Sequence, residues 1–225
     1  SLGFSLGLDI ENCRTIYDVL TGQVPVREAI QETDYCDILT SNILLSSAEL
    51  EFTSADRELL LKKALVPVLS DYDYVIIDTP PALNVLTLNA YAAADYLIIP
   101  MAPEVLSLLG VTQLRETINS VRQTVNKGLD ILGIVLTRFN GRTLLAREVK
   151  EMAESVAKQM GTKVFDRQIR ASVAVAEAPA HGSSVYDHSP KCNSSQDYKA
   201  FVDEVLARAS SIKKLSGGEI NGQEK

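Results

Sequence analysis

Asp71-Tyr72-Asp73-Tyr74-Val75-Ile76-Ile77-Asp78-Thr79-Pro80-Pro81 is the stretch on which the reading of this chain turns. Tyr74 to Ile77 run without a polar break and stop at a carboxylate, a hydroxyl and two prolines. A run this short, rich in β-branched residues and lacking alternation, suits a strand covered on both faces, as in a parallel sheet. Working outward, Tyr96-Leu97-Ile98-Ile99 is a second such run, stopped by Pro100, and Ile131 to Thr137 is a third. Asp37 to Thr40 and Lys163 to Phe165 are weaker strand candidates.

Helical spacing fills the intervals. Leu59, Leu60, Ala64, Leu65 and Val68 form one apolar stripe, and Val111, Leu114, Ile118, Val121 and Val125 a second. Leu145, Val149, Met152, Val156 and Met160 form a third, and Tyr198, Phe201, Val202, Val205, Leu206 and Ala209 a fourth. Ser54, Thr143 and Ser195 stand where N-caps are wanted. This alternation predicts an α/β fold, with a mostly parallel sheet and right-handed crossovers. Residues 1–214 read as one domain, and 215–225, which lack periodicity, as a flexible tail.

Composition narrows the function classes. The chain has 225 residues, 46% of them apolar and 23% charged, which excludes wholesale disorder. No apolar run has transmembrane length. Cys13, Cys36 and Cys192 have no C-x-x-C spacing, so they suggest neither a disulfide framework nor a zinc site and suit a reducing cytosol. The net charge of −7 conceals an asymmetry: residues 1–137 carry 8 basic and 18 acidic side chains, whereas 138–214 carry 13 basic and 9 acidic. A basic C-terminal third can meet a polyanion, although ordinary scatter gives the same numbers.

Ligands of open α/β sheets bind beyond the carboxyl ends of the strands. That points to Asp78, to Pro100 through Glu104, and to Thr137 through Asn140. Asp78 could hold the water shell of a Mg²⁺ ion beside a nucleotide phosphate; the plainer reading is a turn-forming aspartate before Thr79-Pro80-Pro81. No Gly-x-x-x-x-Gly-Lys-Ser/Thr accompanies it, and Gly3-Phe4-Ser5-Leu6-Gly7 lacks the lysine and the hydroxyl. His181 and His188 have no metal-ligand pattern, and no Gly-x-Ser-x-Gly elbow occurs. On residue chemistry alone, the reading stops at an α/β domain with a carboxylate at its rim.

Six blocks in order carry it further. Thr15 to Gly22, Asp71 to Pro81, Leu86 to Ala90, Ala92 to Asp95, Leu136 to Asn140 and Ala176 to Gly182 resemble segments of the ParA/Soj-type partition ATPases, over roughly residues 1–210. The resemblance implies a three-layer P-loop NTPase-like fold of the deviant Walker class, with helices on both faces of the sheet. It implies ATP and Mg²⁺ as cofactors, an ATP-bound homodimer, slow hydrolysis, non-specific DNA binding in the cytoplasm at the nucleoid, and a centromere-binding ParB-like partner. By position, Asp78 matches the Walker B aspartate that holds Mg²⁺ through water, and Thr79 and Pro80 match the turn behind it. Pro100 to Glu104 match a loop near nucleotide and dimer interface. Thr137 and Arg138 match the strand end that borders the adenine, and Ile169, Arg170 and Ala171 the loop that closes the base pocket. Many Soj-like members read Pro-Arg where this chain has Arg170-Ala171. Arg142, Arg147, Lys150, Lys163, Arg167 and Arg170 fall where ParA-type dimers place basic contacts to DNA phosphates.

The family's glycine-rich loop, with its signature lysine, would precede residue 1, as would the aspartate that positions the attacking water. A strand–loop–helix unit of roughly 30 residues is thus expected to be absent from this chain. Without that lysine and the loop's N–H groups, the chain alone is expected to have no ATPase activity and little ATP affinity. The missing strand lies inside the family's sheet, so an apolar slot is expected there. Two rivals are a MinD-like membrane-cycling ATPase, for which 215–225 offers no basic amphipathic helix, and a non-enzymatic, truncated relative that binds DNA or a partner.

Overall fold

The structure is a computed structural model and describes residues 12–47, 51–80 and 82–218, together with Gly3, Leu6, Leu8 and Asp9. Its contacts group into two compact units. Unit 1 comprises residues 1–95, 118–129 and 179–183; unit 2 comprises 96–117, 130–178 and 184–225.

Unit 1 begins with α1 (Ile16–Leu20), entered through a capping interaction in which the Thr15 N–H and hydroxyl both donate to Asp18 Oδ2, at 2.7 and 3.0 Å. α2 (Val26–Ala29) leads into β1 (Ile30–Gln31), which pairs antiparallel with β2 (Ile38–Leu39), the weak strand expected near Asp37. α3 (Leu60–Leu65) and α4 (Val85–Ala93) follow. The short helical turn over Arg57–Leu59 that leads into α3 is preceded by Asp56, so Ser54 is not its cap. Val19, Val26, Ala29, Leu65 and Val68 form one apolar cluster of this unit, and Phe52 and Val85 a second.

Polar side chains hold α4. Asn84 Oδ1 accepts from the N–H groups of Leu86 and Thr87, both at 3.2 Å. Buried Asn89 accepts from the Leu61 N–H at 3.0 Å and donates to the Arg57 and Val85 carbonyls at 2.7 and 2.9 Å. The Asn126 amide donates to the carbonyls of Tyr91, Ala92 and Ala94 at 2.9, 3.3 and 2.8 Å, satisfying acceptors that a helix C-terminus leaves open.

The expected strand over Tyr74–Ile77 is not formed. Residues 74–80 have no ladder partner among the described residues. Tyr74, Val75 and Ile76 are exposed, Ile76 at 89%. The physical reason is that β-branched side chains favour an extended backbone, but a strand also needs a neighbour whose N–H and C=O groups answer its own.

Unit 2 contains the parallel sheet. β3 (Tyr96–Met101), β4 (Asp130–Phe139) and β5 (Ile169–Arg170) lie in that spatial order, all parallel. β3 continues through Pro100, where the sequence suggested a stop; as an edge strand among the described residues it tolerates a residue with no N–H. Lys163–Phe165 contributes a single parallel bridge, Val164 to Ile134. Ile131 through Leu136 are buried without interruption, the pattern of a strand covered on both faces.

α5 (Val105–Thr124) and α6 (Leu144–Gln159) follow β3 and β4. Thr143 caps α6 as expected, its hydroxyl accepting from the Ala146 N–H at 3.3 Å. The buried stripe of α6 differs from the expected one. Ala146, Val149, Ala153, Ala157 and Met160 are inside, whereas Leu145 and Met152 are exposed. Small alanines let a helix sit close to its neighbours, and the periodicity of large apolar residues overlooks them. Short helices α7 (Val173–Glu177) and α8 (Val185–His188) lead to α9 (Asn193–Gly218). Ser195 is not the cap of α9: it lies within the first turn, and its hydroxyl donates to the carbonyls of Ser189 and Val185 at 2.8 and 3.1 Å. On α9, Tyr198, Phe201, Val205 and Ala209 pack on Leu132, Val135, Phe165 and Ile169, while Val202 and Leu206 face out. α9 extends through 215–218, and the rest of the expected tail lies outside the described residues.

Candidate functional site

The expected site residues fall into both units. Asp78, Thr79 and Pro80 belong to unit 1, exposed at the end of the extended segment. The others belong to unit 2, and of these Thr137, Arg138, Ile169 and Arg170 meet at the carboxyl ends of β4 and β5. Thr137 pairs with Ile169 and Phe139 with Arg170. Between them Arg138 adopts φ 53°, the one non-glycine residue in the left-handed region among the described residues. That conformation costs a side-chain-bearing residue about 1 kcal/mol or more. It shifts the register between Thr137 and Phe139. A register shift beside a ligand site is a recurrent way of re-aiming side chains. Ala171, exposed, follows directly on β5.

Beyond these strand ends lies an open cleft of 470 Å³. Arg142 and Phe139 line it from the β4–α6 connection, Asp166, Arg167 and Arg170 from the segment into β5, and Asp197 from α9. Three of the six basic residues expected to touch DNA therefore share one cleft. Arg147 and Lys150 stand on the first turns of α6, Lys150 3.9 Å from Glu154, and exposed Lys163 precedes the Val164 bridge.

The cleft is held by polar contacts that no motif announces. Arg170 donates from Nε and Nη2 to the two Asp197 carboxylate oxygens, both at 2.7 Å, and its backbone N–H donates to Asp197 Oδ2 at 3.2 Å. Hydrogen bonding from Arg170 holds the Asp197 carboxyl below the usual carboxylate range and raises the arginine in return. One turn pair along α9, Glu204 accepts from the N–H groups of Asp166 and Arg167 at 3.0 and 3.2 Å. Glu204 also pairs with Arg208, whose guanidinium lies 4.0 Å over the Phe165 ring and donates to the carbonyls of Leu132 and Val164 at 3.1 and 3.3 Å. Gly133 makes room for this arrangement: a Cβ there would come within 2.6 Å of Phe165 and 2.7 Å of Arg208. The signal for these residues was faint, since positions 197, 204 and 208 share one helix face at seven- and four-residue spacing.

Residues 2–131 match the AAA_31 family, an AAA domain. The chromosome partitioning protein ParA of Caulobacter vibrioides is 40% identical over 199 residues, which span 86% of this chain and 73% of that protein. The chromosome-partitioning ATPase Soj of Treponema pallidum is 36% identical over 207 residues, 91% of this chain and 81% of its own. The chain belongs to the ParA/Soj family of partition ATPases. Among solved structures, the cobyrinic acid a,c-diamide synthase of Mycobacterium smegmatis with bound ATP analog and magnesium superposes with a TM-score of 0.69 at 38% identity, covering 75% of this chain and 67% of that one.

For a ParA/Soj protein, the donors can be set against the chemistry of Mg²⁺ and a nucleotide. No group of three or more His, Cys, Asp or Glu side chains forms a metal cage among the described residues. Mg²⁺ does not require one, being held through one or two carboxylates, water and phosphate oxygens. Asp78, an exposed carboxylate, is a donor of the kind that role uses. Gly-x-x-x-x-Gly-Lys-Ser/Thr, which would cradle the phosphates, is not among the 225 residues. No helix is long and apolar enough to cross a membrane among the described residues.

Proposed function

We propose that this chain forms the body of a ParA-type ATPase of chromosome or plasmid partitioning. In this reading the protein binds ATP and Mg²⁺, and binding drives homodimerisation. The dimer binds DNA without sequence preference, at the nucleoid, and a centromere-bound ParB-like protein releases it. The observation that carries the reading is the convergence of Thr137 and Arg138 with Ile169 and Arg170 in adjacent strands, beside a cleft bearing Arg142 and Arg167. Asp78 holds Mg²⁺ through water, Thr79 and Pro80 shape its turn, and Ile169 to Ala171 close on the base. Arg147, Lys150 and Lys163 add DNA phosphate contacts outside the cleft.

The 225-residue chain alone hydrolyses no ATP, because no lysine-bearing glycine loop is among its residues. Mg²⁺-dependent phosphate release from the purified chain would overturn that statement. The wider reading is tested on the gene product, including any in-frame residues that precede Ser1. ATP raises its retention on random-sequence DNA at least about tenfold; retention indifferent to ATP overturns the reading. A second reading, a DNA- or partner-binding module without catalysis, draws on the Tyr74–Ile77 segment that leads into Asp78 and has no ladder partner among the described residues. A start codon immediately before the Ser1 codon, with no Lys-Gly-Gly-x-Gly-Lys-Thr encoded in frame, would favour it.

A further inference from the structure

The cleft at the β4–β5 rim contains a competition. Arg142, Arg167 and Arg170 line it, against two carboxylates, Asp166 and Asp197. The Asp197 carboxylate is 13% exposed and seated on α9, whereas the Arg170 side chain is 48% exposed. The guanidinium is therefore reachable from solvent while its fork is filled from below. A guanidinium fork accepts a phosphate as readily as a carboxylate, with the same pair of parallel hydrogen bonds.

We propose that this cleft is a phosphate-binding notch in which Asp197 is the resident competitor: a phosphate oxygen takes the Arg170 fork from Asp197 and is held at the same time by Arg142 and Arg167. The proposal rests on the reading of these arginines as phosphate contacts and adds the element that restrains them. Asp197 keeps Arg170 in place through its backbone N–H, so the arginine stays aimed into the cleft when its side chain changes partner. It also taxes every phosphate that binds, so affinity depends on the charge at position 197. The phosphate could be a DNA backbone group or a free oligophosphate, and the two are separable.

The test compares Asp197→Asn with Asp166→Asn, which removes the same charge from the same cleft without freeing Arg170. Binding of a random-sequence duplex is read by fluorescence anisotropy between 50 and 200 mM salt, and binding of pyrophosphate by calorimetry. Asp197→Asn is expected to tighten DNA binding about fivefold or more at each salt concentration, the gain from removing a competitor for a phosphate contact that the unaltered protein already makes. Asp166→Asn is expected to change affinity less than about twofold by the same contact logic. In an Arg170→Gln background, Asp197→Asn is expected to gain nothing. Equal gains from the two aspartate variants, or a gain that survives in Arg170→Gln, overturn the notch, because either is a general charge effect. If no form binds DNA but Asp197→Asn gains pyrophosphate, the DNA reading falls and the notch stands as a free-phosphate site. If Asp197→Asn gains neither ligand, the notch falls. Asparagine retains an oxygen that can accept the Arg170 N–H. Should the variant nevertheless unfold, the Arg170 Nε–H resonance of the unaltered chain answers the question: it shifts on pyrophosphate addition if the partner exchanges, and a static resonance overturns the proposal.

Discussion

β4 and the segment Tyr74–Ile77 are written in the same alphabet and end differently. Both are β-branched runs that stop at polar residues. β4 lies between β3 and β5 with six consecutive buried residues, whereas Tyr74–Ile77 lies open with no ladder partner among the described residues. Composition predisposes a segment to extension; pairing is a property of what lies beside it. Every consequence of burial, from protection to mutational cost, should separate the two.

Amide hydrogen exchange should separate them most. Ile134 donates to the Lys163 carbonyl at 3.1 Å, and its carbonyl accepts from Phe165 at 2.8 Å. Its amide is expected to exchange about a thousandfold or more slowly than those of Val75 and Ile76, as about 4 kcal/mol of local opening free energy dictates. Equal exchange would mean that 74–77 finds a partner in solution. Next comes a matched pair of substitutions. Ile134, fully buried, should cost about 3–4 kcal/mol on truncation to alanine in a denaturant melt. Ile76→Ala, at an 89%-exposed position, should change stability by less than about 0.5 kcal/mol. A comparable loss at Ile76 would break the contrast. Gly133→Ala should follow, at about 1–3 kcal/mol, because the added methyl must displace either the Phe165 ring or the Arg208 guanidinium.

The smallest effect lies at the cleft and depends on pH. The Asp197 carboxyl is depressed in the folded protein by Arg170, so its stabilisation is present above the carboxylate's unfolded value near 3.9 and is lost as pH falls through the lower folded value. Asp197→Asn should therefore flatten the acid limb of the stability profile below about pH 4 and leave its shape above pH 5 unchanged. Exposure of Arg170 keeps the effect below about 1 kcal/mol. An acid limb of unaltered slope would show that the pair contributes no linkage.

How legible all this was depended on the kind of force involved. β3, β4 and the helix between them were readable because burial on both faces leaves an unbroken apolar run in a strand and burial on one face leaves a stripe on a helix. Thr137 and Arg138 stood out as the end of an apolar strand run, whereas Ile169 and Arg170 entered only through resemblance to a family, since two-residue β5 has no period to detect. Tyr74–Ile77 was misread because ladder partners are non-local. On α6, Val149 and Met160 are buried as expected, but Leu145 and Met152 were misread and the alanines overlooked, because alanine carries little hydropathy and yet packs closest. Asp197, Glu204 and Arg208 were missed because surface-type residues on a helix look alike until the loop that they hold is in view.

The spacing of those three residues has a consequence for the gene. Each residue inserted in an α-helix turns everything beyond it by about 100°. Asp197 faces Arg170, Glu204 faces the Asp166 and Arg167 amides, and Arg208 faces Phe165. A single codon gained or lost between positions 197 and 208 would thus rotate one anchor away while leaving the others engaged. Substitutions at outward positions such as Lys199, Asp203 and Ala207 leave that phase intact. Those outward positions should accordingly drift freely in letters, while the segment hardly changes in length.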